Sequence, residues 1–187
     1  MPHKELLLDT NSYLRLAKSI RPLLGEPFGK DNYALYIHKE LQYELDRSQR
    51  LQSTFYWIEE EEYKKERKKI IRIQKSEEQD IDDVYEYIDA YKKGEGMNLS
   101  REDMLCIATA YVRKIPLVTD DKQMLITAKD FAVAAYRTIE LLKLMEDNEF
   151  INHEKVDEII SYLKYINDFP IAFNKLYRSI YGSAPPD

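Results

Sequence analysis

Leu6, Leu7 and Leu8 run without a break into Asp9, Thr10 and Asn11. A short continuous apolar run closed by polar residues predicts a buried strand. In residues 12–20 the apolar positions are Tyr13, Leu14, Leu16, Ala17 and Ile20, the spacing of a helix. RPLLGEPFGKDN, broken by prolines and glycines, predicts a loop. ALYIH reads as a second short strand, and KELQYELDRSQRL as a helix with Leu41, Leu45 and Leu51 on one stripe. STFYWI, residues 53–58, is β-branched and aromatic; it reads as an edge strand or a link between helices, with the strand preferred.

At Glu59 the pattern changes. EEEEYKKERKK places acids before bases, which predicts a solvated helix steadied by its own i,i+4 pairs. QDIDDVYEYIDAYKKG continues as an amphipathic helix through Ile81, Val84, Tyr85, Ile88 and Tyr91, ending at Gly94. LSREDMLCIATAYVRK is a helix with Ser100 as N-cap and Asp103 at the capping-box position. IPLVTDD is a strand that ends as the first does, 122–130 a helix and FAVAAY a further strand. From Thr138 onward TIELLKLMEDNEF, HEKVDEIISYLKYI and FPIAFNKLYRSIYG predict helices, and SAPPD a frayed tail.

Alternating strands and helices predict an α/β fold whose parallel sheet is covered by helices. The 187 residues suit one domain. Its core spans 1–135 with a charged helical insertion at 59–93, and a helical extension covers 136–187. Ligands of such sheets bind outside the carboxyl ends of the strands, and two of the strands here end in carboxylates.

Composition narrows the partners. The net charge of −6 is the wrong sign for binding nucleic acid by overall charge, although a local basic stripe stays open. Cys106 is the single cysteine, which excludes an intrachain disulfide, and its apolar neighbours predict a small buried hydrophobe. No run approaches the ~18 apolar residues of a membrane span, and no signal-type apolar stretch follows MPHKE. The expectation is a cytoplasmic protein.

The acids form the candidate chemistry. Asp9, Asp120 and Asp121 close strands, Asp103 opens a helix, and Glu40 and Glu44 share one helix face. Each could simply cap or decorate a helix. Gathered at one edge, however, they repel and resist ionising together, a conflict that a divalent cation resolves. Oxygen-only ligands suit Mg²⁺ or Mn²⁺. His3, His38 and His153 have no metal-ligand spacing and read as structural or exposed.

LLLDTN, YELD, SREDMLCIATA and PLVTDD, in this order between residue 5 and about residue 135, resemble the motifs of the PIN domain family of metal-dependent ribonucleases. The resemblance implies a three-layer α/β/α fold with a short central parallel sheet. It implies catalytic roles for Asp9, Glu44, Asp103 and Asp121, with Asp9, Asp103 and Asp121 as metal ligands and Asp120 as an additional one. Asn11 and Thr119 would orient ligands, and Glu40 is the alternative to Glu44, one helical turn away. It also implies an endoribonuclease that leaves a 5′-phosphate and a 3′-hydroxyl. The tail RTIELLKLMEDNEFINHEKVDEIISYLK resembles the extension of family members paired with antitoxins, which implies a type II toxin with a small antitoxin-like partner and leaves a homodimer open. The other function class is a PIN-like module that binds RNA or protein without cutting. For RNA phosphates the densest basic run is Lys64, Lys65, Arg67, Lys68, Lys69 and Arg72, whose ordinary reading is a solvated helix face.

Overall fold

A computed structural model describes residues 3–170 and 172–186; Met1, Pro2, Ile171 and Asp187, part of the stretches read above, lie outside the described residues. In chain order the elements are β1 (Lys4–Leu8), α1 (Thr10–Ala17), β2 (Tyr33–Ile37), α2 (Leu41–Arg47) and α3 (Gln49–Thr54). A 3-10 turn (Tyr56–Glu59), α4 (Glu61–Glu66), α5 (Lys75–Glu95), α6 (Arg101–Arg113), β3 (Leu117–Val118) and α7 (Lys122–Asp130) follow. The chain closes with β4 (Ala135–Tyr136), α8 (Thr138–Asp147), α9 (His153–Tyr165) and α10 (Phe173–Tyr181).

The four strands form one parallel sheet in the order β2-β1-β3-β4. Its pleat sorts the core. Leu6, Leu8, Leu35, Ile37 and Val118 join a cluster with side chains of α1, α2, α8, α9 and α10, while Leu7 and Leu117 face α5, α6 and α7. The fold is therefore α/β with a layer of helices on each face. Leu6, Leu7 and Leu8 are at most 1 % exposed, and burying each contributes about 1.5–3 kcal/mol. That double-sided burial is why the first strand reads as a continuous apolar run and not as an alternation. Among the described residues no helix is long and apolar enough to cross a membrane.

Two stretches differ from the sequence expectation. Residues 53–58 are not a strand: they are the end of α3 and the 3-10 turn. Phe55, Trp57 and Ile58 are buried in the core, with the Trp57 and Tyr63 rings 4.5 Å apart. Aromatic bulk there serves packing and not a ladder. The charged block is also not one continuous helix. Arg67, just past α4, turns inward and donates to the Ile58 carbonyl at 2.6 Å. Ile70 and Ile71 then run beside the end of β2, where the Ile71 N–H donates to the Ile37 carbonyl at 2.9 Å. Helix resumes at α5, which has a capping box at Gln74 and Glu77. The predicted helix over KELQYELDRSQRL is likewise split at Ser48, whose side chain caps α3 through the Leu51 N–H.

The helical extension is fastened to the core from two sides. Arg15 of α1 forms a bidentate pair with Asp168, at 3.1 and 3.0 Å, and reaches Asp120 at 3.1 Å. On the other side, Gly29 has φ +69°, and a Cβ there would meet the Asn148 Oδ1 at 2.1 Å. Asn148 cannot easily retreat, because its amide donates to the Leu144 carbonyl at 2.8 Å. Gly29→Ala is therefore expected to cost at least the ~1–2 kcal/mol of a left-handed non-glycine residue. Chemical denaturation would read this as a lower midpoint with an unchanged slope; an unchanged midpoint would contradict it.

Candidate functional site

Leu8 pairs with Ile37 on one side and with Val118 on the other. The next residue of each strand, Asp9, His38 and Thr119, therefore arrives at the same carboxyl edge of the sheet. All three are buried. The Asp9 Oδ1 accepts from the Ser12 N–H at 2.7 Å, capping α1, while its Oδ2 accepts from the Thr119 hydroxyl at 2.6 Å. Burial pushes this carboxyl up to about 6, against the pull of its bonds to Thr119 and Ser12. Capping and membership of an acidic cluster are thus two tasks of one side chain.

α2 brings Glu44 to the neighbouring position, where the Thr10 hydroxyl donates to its Oε2. Burial raises the Glu44 carboxyl, and the charges of Asp103 and Glu102 raise it further. Asp103 comes from the first turn of α6, fixed by a reciprocal box in which its Oδ2 accepts from the Ser100 N–H at 2.9 Å. Burial raises Asp103 as well, with Asp121 and Glu102 adding to the shift. Glu40, one turn before Glu44, is instead paired with Arg101 at 2.7 Å.

The remaining predicted residues have distinct placements. Asp121 is exposed and caps α7, its Oδ1 accepting from Gln123 and Met124, and its own N–H donates to the Thr119 hydroxyl at 3.1 Å. Thr119 thus ties Asp121 to Asp9. Asp120 turns away into the bond with Arg15 and into bonds from the backbone and hydroxyl of Thr138. Asn11 is half-buried and makes no side-chain hydrogen bond among the described residues. Of the lysines, Lys64 pairs with Glu59 at 3.2 Å, Lys69 lies along Gly25, and Lys65 and Lys68 are exposed. None of them lines the acidic crevice.

That crevice, about 10 Å³, is lined by Asp9, Thr10, His38, Glu40, Glu44 and Asp103, with Leu8, Leu41, Glu102 and Cys106 completing the wall. It has room for about one water molecule. Cys106 is buried and its thiol is pushed well up, so it is a wall and not a nucleophile. His38 accepts the Glu40 N–H on Nδ1 at 3.2 Å, and burial pushes its imidazole down to about 4.

Among the described residues no three His, Cys, Asp or Glu side chains already converge on one point. A hard cation does not need that, because Mg²⁺ keeps several waters and takes one or two carboxylates directly. The donor chemistry fits such an ion. The carboxyls of buried Asp9 and half-buried Glu44 and Asp103 are held up by desolvation and neighbouring charge, and Glu44 and Asp103 each use only one oxygen in the bonds described above.

Four residues around the acids were not read from the sequence as part of a site. His38 had a signal, since ALYIH ends a strand parallel to the one ending in Asp9. Thr10 had one too, as the hydroxyl next to that acid. Arg101 is exposed beside Glu40, and the charge of Arg50 lowers Glu44; only the fold brings Arg101 to Glu40.

A sequence model of the PIN domain matches residues 6–130. No curated protein sequence matches the chain. Among solved structures it is similar to FitAcB from Neisseria gonorrhoeae, with 17% identity and a TM-score of 0.46 over 71% of this chain and 97% of that one.

Proposed function

Since the chain belongs to the PIN domain family, we propose that it is a metal-dependent endoribonuclease. The observation that carries this reading is that Asp9, Glu44 and Asp103 line one crevice at the carboxyl edge of the sheet, each with its carboxyl raised by burial. Asp9, Glu44 and Asp103 would hold Mg²⁺ or Mn²⁺, with exposed Asp121 beside them. Such an ion would supply charge neutralisation for the acids and Lewis acidity toward water and a phosphoryl oxygen.

The chain's own side chains do the rest. Thr119 and the Ser12 N–H fix Asp9, and Thr10 fixes Glu44, so neither carboxylate has to be ordered when substrate arrives. Arg101 and Arg50 place positive charge where a phosphodiester must approach an acidic cleft. Cys106 is buried, and the reaction proposed uses water as its nucleophile and would leave a 5′-phosphate and a 3′-hydroxyl. The biological role that follows is a toxin held by a small antitoxin-like protein. A basic side chain from that partner would neutralise the same acids and compete with the cation.

The alternative, a binding module that does not cut, draws on the lack of three converged ligands among the described residues. One assay separates the readings. Purified protein should cleave labelled RNA with Mg²⁺ or Mn²⁺ and stop on chelation. Glu44→Gln should lose more than the ~10–100-fold typical of groups behind the ligands, and Glu40→Gln should lose less than ~10-fold. Addition of the partner should silence the same cleavage. Metal-independent cleavage, or none at all, would sink the nuclease; the reverse ranking would move the role to Glu40.

A further inference from the structure

Asp9 caps α1 and Asp121 caps α7, so the spacing of these two acids depends on how α1 sits against the turn at residues 119–121. Two side-chain ties join them. The Thr119 hydroxyl donates to Asp9 at 2.6 Å and accepts the Asp121 N–H. Between those two residues stands Asp120, which accepts from Nη1 of Arg15, on α1, at 3.1 Å. The Asp120 carboxylate also accepts from the N–H and hydroxyl of Thr138, the first residue of α8.

The guanidinium is itself held by the helical extension. Its Nε and Nη2 donate to the two oxygens of Asp168 at 3.1 and 3.0 Å, a two-point contact that fixes the plane of the fork. Asp168 lies just past α9, where Asn167 has φ +54°. The Asn167 and Asp168 N–H groups donate to the Lys164 and Leu163 carbonyls at 3.0 and 3.1 Å, a closure that fixes the backbone beyond the helix end. Leu163 is fully buried, so Asp168 moves with the packed body of the extension. Stability alone does not call for this arrangement. Apolar side chains of similar volume often serve a fold as well as shielded ions do, or better. What two acids on one arginine add is a single defined geometry.

We propose that Asp168 is a positioning residue of the acidic site: by orienting Arg15 it fixes α1 against the 119–121 turn, and so sets the spacing of Asp9 and Asp121. The seating of the extension thereby governs how well the core holds a cation. The effect on the cation rests on the nuclease reading; the mechanical tie does not.

The test compares Asp168→Ala with Gly29→Ala, which disturbs the other fastening of the extension, at Asn148. Both variants of the full chain should melt lower than the wild type. At a temperature where each is folded by circular dichroism, Asp168→Ala should bind Mn²⁺ about 10-fold more weakly by electron paramagnetic resonance, the lower end for groups that orient metal ligands. It should also move the backbone amide NMR resonances of Thr119 and Asp121. Gly29→Ala should do neither. Asp168→Asn keeps one acceptor for the fork; its Mn²⁺ affinity should fall between wild type and Asp168→Ala, and it carries the comparison where Asp168→Ala does not fold. In an Asp120→Asn background, where Arg15 has lost its charged partner in the turn, Asp168→Ala should cause no further loss of affinity. Unmoved Thr119 and Asp121 resonances, unchanged Mn²⁺ affinity, or equal losses in Gly29→Ala would each overturn the proposal. If the wild type binds no Mn²⁺ and cuts no RNA, the nuclease reading falls, while the two resonances still decide for or against the tie.

Discussion

Asp9→Asn should yield a protein that no longer cleaves RNA and yet, without divalent cations, unfolds at a higher temperature than the wild type. The two halves have separate causes. Asparagine is as good an N-cap as aspartate, so the bond from the Ser12 N–H of α1 to the side-chain oxygen of residue 9 survives. The charge does not. The Asp9 carboxyl titrates at about 6 in the fold against an ordinary 3.8, so its ionised form opposes folding at pH 7. The difference corresponds to at most about 3 kcal/mol, or roughly 6–12 °C in a domain of this size.

The sign also fixes the pH profile. Between about pH 6 and pH 3.8 the native state binds the proton that the unfolded chain releases. Wild-type stability from this group therefore rises as pH falls through that window, and the variant lacks the rise. Thermal melts at several pH values in chelator read this out, alongside the cleavage assay. A variant that melts lower at pH 7, or that still cuts RNA, would remove Asp9 from the centre of the site.

Arg15→Ala should be the most damaging single change to the fold. The guanidinium is mostly buried, and it serves Asp120 and Asp168 together, with side-chain exposures of 12 %, 5 % and 27 %. Removing it strands two carboxylates, one of them in the interior. Breaking a buried pair from one side costs about 3–5 kcal/mol, which lowers the melting temperature by roughly 6–20 °C. Arg15→Lys should recover only part, because a point charge cannot reproduce the bidentate contact with Asp168 while reaching Asp120. A loss of under about 1 kcal/mol, the worth of an exposed pair, would mean that the network is decorative. Asp120 lies between Thr119 and Asp121, so the same loss should loosen the site.

Which parts of this were legible beforehand follows from the physics of each signal. The ends of β1 and β3 were readable because a doubly buried strand is uniformly apolar and its closing acid stands out. α7 was predicted over 122–130 and spans Lys122–Asp130, since a cap, a helical stripe and a following strand agree there. Residues 53–58 misled because aromatic and β-branched residues mark burial as much as they mark strands. The charged block misled because i,i+4 pairing predicts helix without showing that Arg67 turns inward. His38 was set aside for lack of metal-ligand spacing, whereas its place comes from strand register, which sequence spacing does not encode. The Lys64–Lys69 run drew attention by density, while Arg101 beside Glu40 and Arg50, whose charge acts on Glu44, are isolated in sequence.

The in-step arrival of Leu8, Ile37 and Val118 bears on how this chain can drift over generations. Each substitution in a strand alters one side chain, but an inserted or deleted codon within any of the three displaces its terminal residue by half a pleat and turns it to the opposite face. Asp9, His38 and Thr119 would then no longer meet. Surface connections outside the strands carry no such pleat constraint and absorb length changes. Descendants of this sequence should therefore vary in length at those connections and hold a fixed count through the strands, whatever happens to the letters.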